Sequence, residues 1–214
     1  MVNLCSYIAN GVADATDVLG LYVTHTCCEE KRDAVMDEPA VAALYAELKA
    51  IPREDGKPCI NELEQSAVQC KVCQHDEGGI WHPDKFMGGE IWLCHGIISG
   101  TNSVRETLLH ELQHAADWCK ESEFDSCQTT VCAEARAHYC SGSCSTVGEC
   151  KPRARRSASV HVYPGGLCEG KSDAQLEAMV ENCGSAEDND GDGVDDDDGL
   201  DDGECHVNSS PPAP

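Results

Sequence analysis

The stretch His110-Glu111-Leu112-Gln113-His114 is the most informative part of this chain. Residues i and i+4 lie on one face of a helix, so the two imidazoles can bind one cation. The glutamate between them reaches a water molecule on that cation and not the cation itself. The pattern predicts a zinc site with His110 and His114 as ligands and Glu111 as the general base of peptide hydrolysis.

A site of this kind needs a third protein ligand. A helix is predicted over about 130–139, and Glu134, which follows His114 by 20 residues, is the preferred candidate. His138 lies four residues later on the same face and is the alternative. Asp117 is short and a turn beyond the motif, so we expect it to orient His114 and not to bind the metal.

The hydrophobic pattern predicts a mainly α fold with a small β element, that is, an α+β fold. Helices are predicted from Pro39, from Ser103 with a capping box to Glu106, and from Ser172 to Gly184, and a strand over 90–94. Together with the helix over 130–139, the motif helix forms a zincin-like pair. We place boundaries after residues 58 and 184. They divide the chain into an N-terminal helical, cysteine-containing region (1–58), a metalloprotease core (59–184) and an acidic segment (185–214).

Charge and cysteine content limit the class of protein. The 39 acidic residues against 15 basic ones give a net charge of −24, which excludes a binder of nucleic acid. The first 26 residues carry no Lys or Arg, unlike a secretory signal or a mitochondrial presequence. Sixteen cysteines favour a disulfide-rich protein of an oxidising compartment. A structural zinc site at Cys70, Cys73, Cys140 and Cys144 is a less favoured alternative.

The motif helix continues to Asp117 and Cys119, and is followed by Cys132-Ala133-Glu134-Ala135-Arg136-Ala137 and by Ser141-Gly142-Ser143-Cys144. With the upstream Cys70-Lys71-Val72-Cys73, this series resembles the mitochondrial intermembrane-space metalloprotease family that matures an ATP synthase subunit and assists its assembly. The resemblance covers about residues 59–183. It implies a zinc endopeptidase acting on a protein substrate, located in the intermembrane space peripheral to the inner membrane, and folded by oxidation.

Two charged segments stand apart from the motif. Asp188, Asp190, Asp192 and Asp196 form a D-x-D-x-D-G-x-x-D pattern that predicts a weak calcium loop. An acidic disordered tail is the alternative. The basic cluster over 151–156 is expected to be a solvated loop, with docking to anionic lipid or to the acidic tail as the alternatives.

Two further functions remain open. A non-proteolytic ATP synthase assembly factor is one, since the resemblance implies that assembly need not use protease chemistry. A secreted, disulfide-rich calcium-binding module is the other, and Asn208-Ser209-Ser210 is its glycosylation acceptor. An intact Glu111 favours the enzyme, because a binding module does not need that carboxylate.

Overall fold

A computed structural model describes residues 20–51, 56, 59–60, 67–73, 78–83, 89–94, 98, 100–121, 126–159 and 166–183. These residues contain six helices and three short strands. In chain order they are α1 (Gly20–Met36), α2 (Pro39–Ala50), β1 (Val68–Lys71), β2 (Gly79–His82), β3 (Glu90–Cys94), α3 (Thr101–Glu121), α4 (Cys127–Cys140), α5 (Val147–Ala158) and α6 (Asp173–Glu181). The predicted mainly α fold with a small β element is confirmed.

The three strands form one sheet in the order β1-β3-β2. β1 pairs with β3 in parallel, with Val68 opposite Ile91, and β2 pairs with β3 antiparallel, with Gly79 opposite Leu93. β3 is central, and Ile91 and Leu93 of this strand are buried. Only β3 is predicted from the sequence, because β1 and β2 are four residues each and show too short a pattern to identify.

Helix α2 begins as predicted at Pro39, which occupies a position where its missing N–H costs nothing. The buried face of α2 consists of Val41, Leu44 and Leu48. Glu38, just before the helix, accepts a hydrogen bond of 2.8 Å from Arg105 of α3. The buried face of α2 therefore contributes apolar packing, and the ion pair between Glu38 and Arg105 connects the start of α2 to α3.

Helices α4, α5 and α6 pack together around a common apolar core. Its buried members are Cys127, Val131, Ala135, Ala154, Ala158, Cys168, Leu176, Val180 and Cys183. Two disulfides, Cys127–Cys168 and Cys132–Cys183, cross this core. Small apolar side chains and disulfides, and not aromatic side chains, therefore make up this core.

The basic cluster over 151–156 lies in helix α5, so the expectation of a solvated loop is wrong. The helix is capped by Thr146, whose side chain accepts from the Glu149 N–H. Cys150, Ala154 and Ala158 repeat at four-residue spacing and are buried. Burial of this face stabilises the helix in spite of an internal proline, Pro152.

Disulfides hold the cysteines for which a structural zinc site was the alternative. Cys70 bonds to Cys28, Cys73 to Cys94, and Cys144 to Cys150. Every cysteine whose side chain is described is disulfide-bonded. The disulfide-rich prediction is confirmed, and these thiols do not form a metal site.

Candidate metal centre

The His110–His114 motif lies on helix α3, one face of which is buried. Its predicted apolar stripe of Val104, Leu108, Leu112 and Ala115 is fully buried. The helix begins at Thr101, two residues earlier than predicted, and the Val104 N–H donates to the carbonyl of Gly100 over 3.0 Å. The predicted cap at Ser103 is therefore wrong: the backbone of Gly100 accepts the first helical bond.

Buried polar side chains follow the apolar stripe along α3. Glu111 is 6%, Gln113 1%, His114 9% and Asp117 3% exposed. Buried ionisable groups are costly unless they are paired or bind a metal, so their concentration on one helix makes α3 a candidate for the functional site. The burial of Gln113, next to the predicted ligand His114, is not foreseen by the sequence pattern.

The two histidines of the motif converge as predicted. The Nε2 atoms of His110 and His114 lie 3.0 Å apart, and the rings meet edge to face with centroids 4.6 Å apart. Two imidazoles on one tetrahedral zinc, bound at about 2.0–2.1 Å, place their nitrogens roughly 3.3 Å apart. The observed pair is within a few tenths of an ångström of that separation, so these residues fit the ion.

Both candidates for the third ligand, Glu134 and His138, lie on helix α4. A carboxylate oxygen of Glu134 and a ring nitrogen of His138 lie within 4.8 Å of each other. Glu134 is 7% exposed, whereas His138 is half-buried. The Nε2 of His138 is 3.0 Å from the hydroxyl of Ser157 on α5, so this ring already has a hydrogen-bond partner.

Asp117 is buried on α3, and its Oδ2 lies 3.3 Å from a guanidinium nitrogen of Arg136. A cationic partner reduces the cost of burying a carboxylate. This ion pair is not predicted from the sequence. The expected orientation of His114 by Asp117 stays a prediction.

Strand β2 lies against the face of α3 that carries Thr107 and Glu111. A Cβ added at its first residue, Gly79, would meet the side chains of Thr107 and Glu111, and one added at the preceding Gly78 would meet Thr107. On the same strand, burial lowers the pKa of His82 below 6.5, partly offset by the nearby charge of Glu90. The sequence shows the glycine pair but not its contact with Glu111, because Gly79 and Glu111 are 32 residues apart and strand β3 lies between them in the chain.

The aspartates of the predicted calcium loop, Asp188, Asp190, Asp192 and Asp196, lie outside the described residues. Among the residues that are described, no helix combines the length and the apolar character needed to cross a membrane.

A model of the Peptidase M76 family matches residues 25–162, which include the whole candidate centre. The chain belongs to the Peptidase M76 family. This membership confirms the family suggested by the sequence motifs.

Several curated relatives of this M76 chain carry the name mitochondrial inner membrane protease ATP23. The protein of Candida albicans is 29% identical over 119 residues, which cover 55% of this chain and 47% of the relative. That of Meyerozyma guilliermondii is 29% identical over 136 residues, 56% and 54% of the two chains. That of Debaryomyces hansenii is 33% identical over 90 residues, 42% and 36% of the two chains. The chain spans about half the length of these relatives or less, and no solved structure matches it.

Proposed function

We propose that this M76 chain is a zinc-dependent endopeptidase. The observation that carries the proposal is the convergence of the two motif imidazoles, 3.0 Å apart at Nε2, with a buried carboxylate between them in sequence. Two neutral nitrogen donors and one carboxylate suit zinc, which prefers imidazole and carboxylate ligands in catalytic sites. Membership in a peptidase family supports the same chemistry.

Each motif residue has a distinct role in this proposal. His110 and His114 bind the ion through Nε2. When bound, zinc lowers the pKa of a water molecule and polarises the peptide carbonyl. Glu111 accepts a proton from the attacking water and then delivers it to the leaving amine nitrogen, while its burial keeps bulk water from competing for that carboxylate.

Glu134 is the proposed third ligand. It is buried, it follows His114 by 20 residues, and a bound cation would offset the charge of its carboxylate. His138 remains the alternative, although its ring nitrogen already lies 3.0 Å from the Ser157 hydroxyl. Asp117 is proposed to orient the imidazole of His114, and its ion pair with Arg136 holds the Asp117 carboxylate in place.

The proposed substrate is an inner-membrane protein of mitochondria, a subunit of the ATP synthase, and the proposed location is the intermembrane space, peripheral to the inner membrane. The names of the relatives support mitochondria and the inner membrane, and the disulfides support an oxidising compartment. A calcium ion in the segment 188–196 stays a prediction.

The deciding experiment compares Glu111→Gln with Glu106→Gln. Glu106 is exposed on the same helix, so its substitution is a matched control for charge and helix propensity. We expect Glu111→Gln to retain one zinc ion and to lose peptide hydrolysis, since both imidazoles survive while the proton acceptor is lost. Glu106→Gln should retain both properties.

Hydrolysis by zinc-loaded Glu111→Gln would remove Glu111 from its proposed role. Restoration of ATP synthase assembly by the inactive variant in cells that lack the protein would show that assembly does not use the protease chemistry. That result would favour the assembly-factor alternative.

A further inference from the structure

We propose that Gly79 is a positioning residue that fixes the carboxylate of Glu111 for catalysis. This inference rests on the proposed function, because it acts through the general base. It starts from the glycine pair at the beginning of β2, which the metal site itself does not use.

The absence of a side chain at Gly79 lets the strand lie directly on the glutamate. A Cβ built at this position would be 2.6 Å from Cγ2 of Thr107, 2.9 Å from Cγ of Glu111 and 3.1 Å from its Oε1. Thr107 and Glu111 are four residues apart and therefore lie on the same face of α3. Gly79 thus forms part of the wall that confines the Glu111 side chain.

The neighbouring Gly78 makes a different contact. A Cβ there would be 2.9 Å from Oγ1 of Thr107, and its three nearest neighbours, out to 3.9 Å, are all atoms of that side chain. Both glycines therefore lie against Thr107, but only Gly79 lies against Glu111. This difference supplies a matched control within one dipeptide.

The strand cannot readily withdraw to make room for a larger residue. Gly79 pairs with Leu93 in the antiparallel ladder, and the carbonyl of Gly78 accepts a hydrogen bond of 2.9 Å from the Cys94 N–H. Cys94 is in turn bonded to Cys73, two residues beyond the end of β1. An added methyl group is therefore accommodated mainly by movement of Thr107 and Glu111, and Cγ of Glu111 lies in the middle of that side chain, not at its flexible end.

This arrangement orders the base before the substrate arrives. A carboxylate that is 6% exposed and confined between a helix and a strand has few rotamers to choose from. Catalytic groups must be held close to their productive geometry, and a displacement of about 1 Å can reduce the rate roughly 10²-fold.

The test measures kcat, KM and zinc content of the full chain with Gly79→Ala and Gly78→Ala, using a quenched fluorogenic peptide that the unmodified protein cleaves. We expect Gly79→Ala to lower kcat by about 10²-fold with KM and zinc content unchanged. Gly78→Ala should retain most of kcat. Equal effects of the two substitutions on kcat would overturn the inference, because a general disturbance of the strand would then explain both.

The double variant Gly79→Ala/Thr107→Ser separates the two contacts of Gly79. Serine lacks Cγ2, so the contact of 2.6 Å is removed while the contact with Glu111 remains. We expect kcat to stay low. Recovery of kcat in the double variant would assign the effect to Thr107 and overturn the inference.

A measurement without metal or substrate provides an independent reading. In protein labelled with 13C-glutamate, the Glu111 carboxyl resonance is identified by its loss in Glu111→Gln. Gly79→Ala should shift this resonance and Gly78→Ala should not; an unshifted resonance in Gly79→Ala would contradict the proposal. Full kcat in Gly79→Ala beside an inactive Glu111→Gln overturns this inference alone, whereas hydrolysis by Glu111→Gln overturns the proposed function with it.

Discussion

The carboxylate of Asp117 lies 3.3 Å from the guanidinium group of Arg136. Asp117 is three residues beyond His114 on α3, and Arg136 is two residues beyond Glu134 on α4. The ion pair therefore joins the helix of the predicted metal motif to the helix of the proposed third ligand. Asp117 is 3% exposed, so little water screens this interaction.

Substitution of Arg136 by Met should destabilise the fold by about 3 kcal/mol, because it removes the cation from beside a buried carboxylate. The free energy of unfolding in denaturant, measured on metal-free protein, tests this value. Arg153→Met, at an exposed position on α5, is the control and should change that free energy by less than about 0.5 kcal/mol. Similar losses of unfolding free energy in Arg136→Met and Arg153→Met would show that the ion pair with Asp117 does not stabilise the fold.

Loss of Glu134 should weaken zinc binding more than loss of Asp117. A residue that only supports a ligand typically contributes about 10–100-fold in metal affinity, and removal of a ligand exceeds that range. Competition with a fluorescent chelator, applied to Glu134→Gln, Asp117→Asn and His138→Gln, ranks the three positions. The largest loss in His138→Gln would assign the third ligand to that histidine.

Removal of the Cys132–Cys183 disulfide should destabilise the fold more than removal of the Cys144–Cys150 disulfide. The first pair is separated by 51 residues and the second by 6. The chain-entropy account then gives about 4 kcal/mol for the first and about 2 kcal/mol for the second. Paired Cys→Ala variants compared by thermal unfolding test the order, and a larger effect of the short loop would contradict it.

Stability should decrease as the pH falls below 6.5, in part through His82. Because burial lowers its pKa in the folded state, the unfolded chain takes up this proton first. The contribution is complete above 6.5 and is lost as the pH falls through the lowered value. His82→Phe keeps a ring against Trp92, whose centroid lies 3.9 Å away, and should make the unfolding free energy less dependent on pH.

Glu90→Gln gives the opposite change and serves as the control for His82. The negative charge of Glu90 raises the pKa of His82, so its neutralisation lowers that pKa further and widens the pH range over which stability is lost. The amide oxygen can still accept the 3.1 Å hydrogen bond that the Trp92 indole donates to Glu90. An unchanged pH dependence in both variants would exclude His82 as its origin.

The parts of the molecule that follow from the sequence are those with a strong local pattern. The helical period around His110 and His114 identifies α3 and predicts the convergence of their rings. Ser172 and Gln175 form the predicted capping box of α6. In these cases, neighbouring residues along the chain carry the whole signal.

Features that depend on contacts distant in sequence are not predicted. Helix α5 contains Pro152 and four cations, and its stability comes from buried Cys150 and Ala154 on one face. The contact of Gly79 with Glu111 spans 32 positions and leaves no trace in local periodicity. The sequence reduces the candidates for the third ligand to Glu134 and His138, and a carboxylate oxygen of the first lies within 4.8 Å of a ring nitrogen of the second.

The disulfide between Cys132 and Cys183 sets the order in which the molecule can mature. Cys132 is two residues before Glu134 on α4, yet its partner lies beyond α6, the last described helix. The second disulfide of the helix that carries the proposed third ligand can therefore form only after residue 183 has been synthesised and an oxidant has acted, whereas Cys127–Cys168 needs the chain only up to residue 168. A newly made chain that is still reduced lacks this cross-link, so oxidation comes before completion of the cross-linked fold.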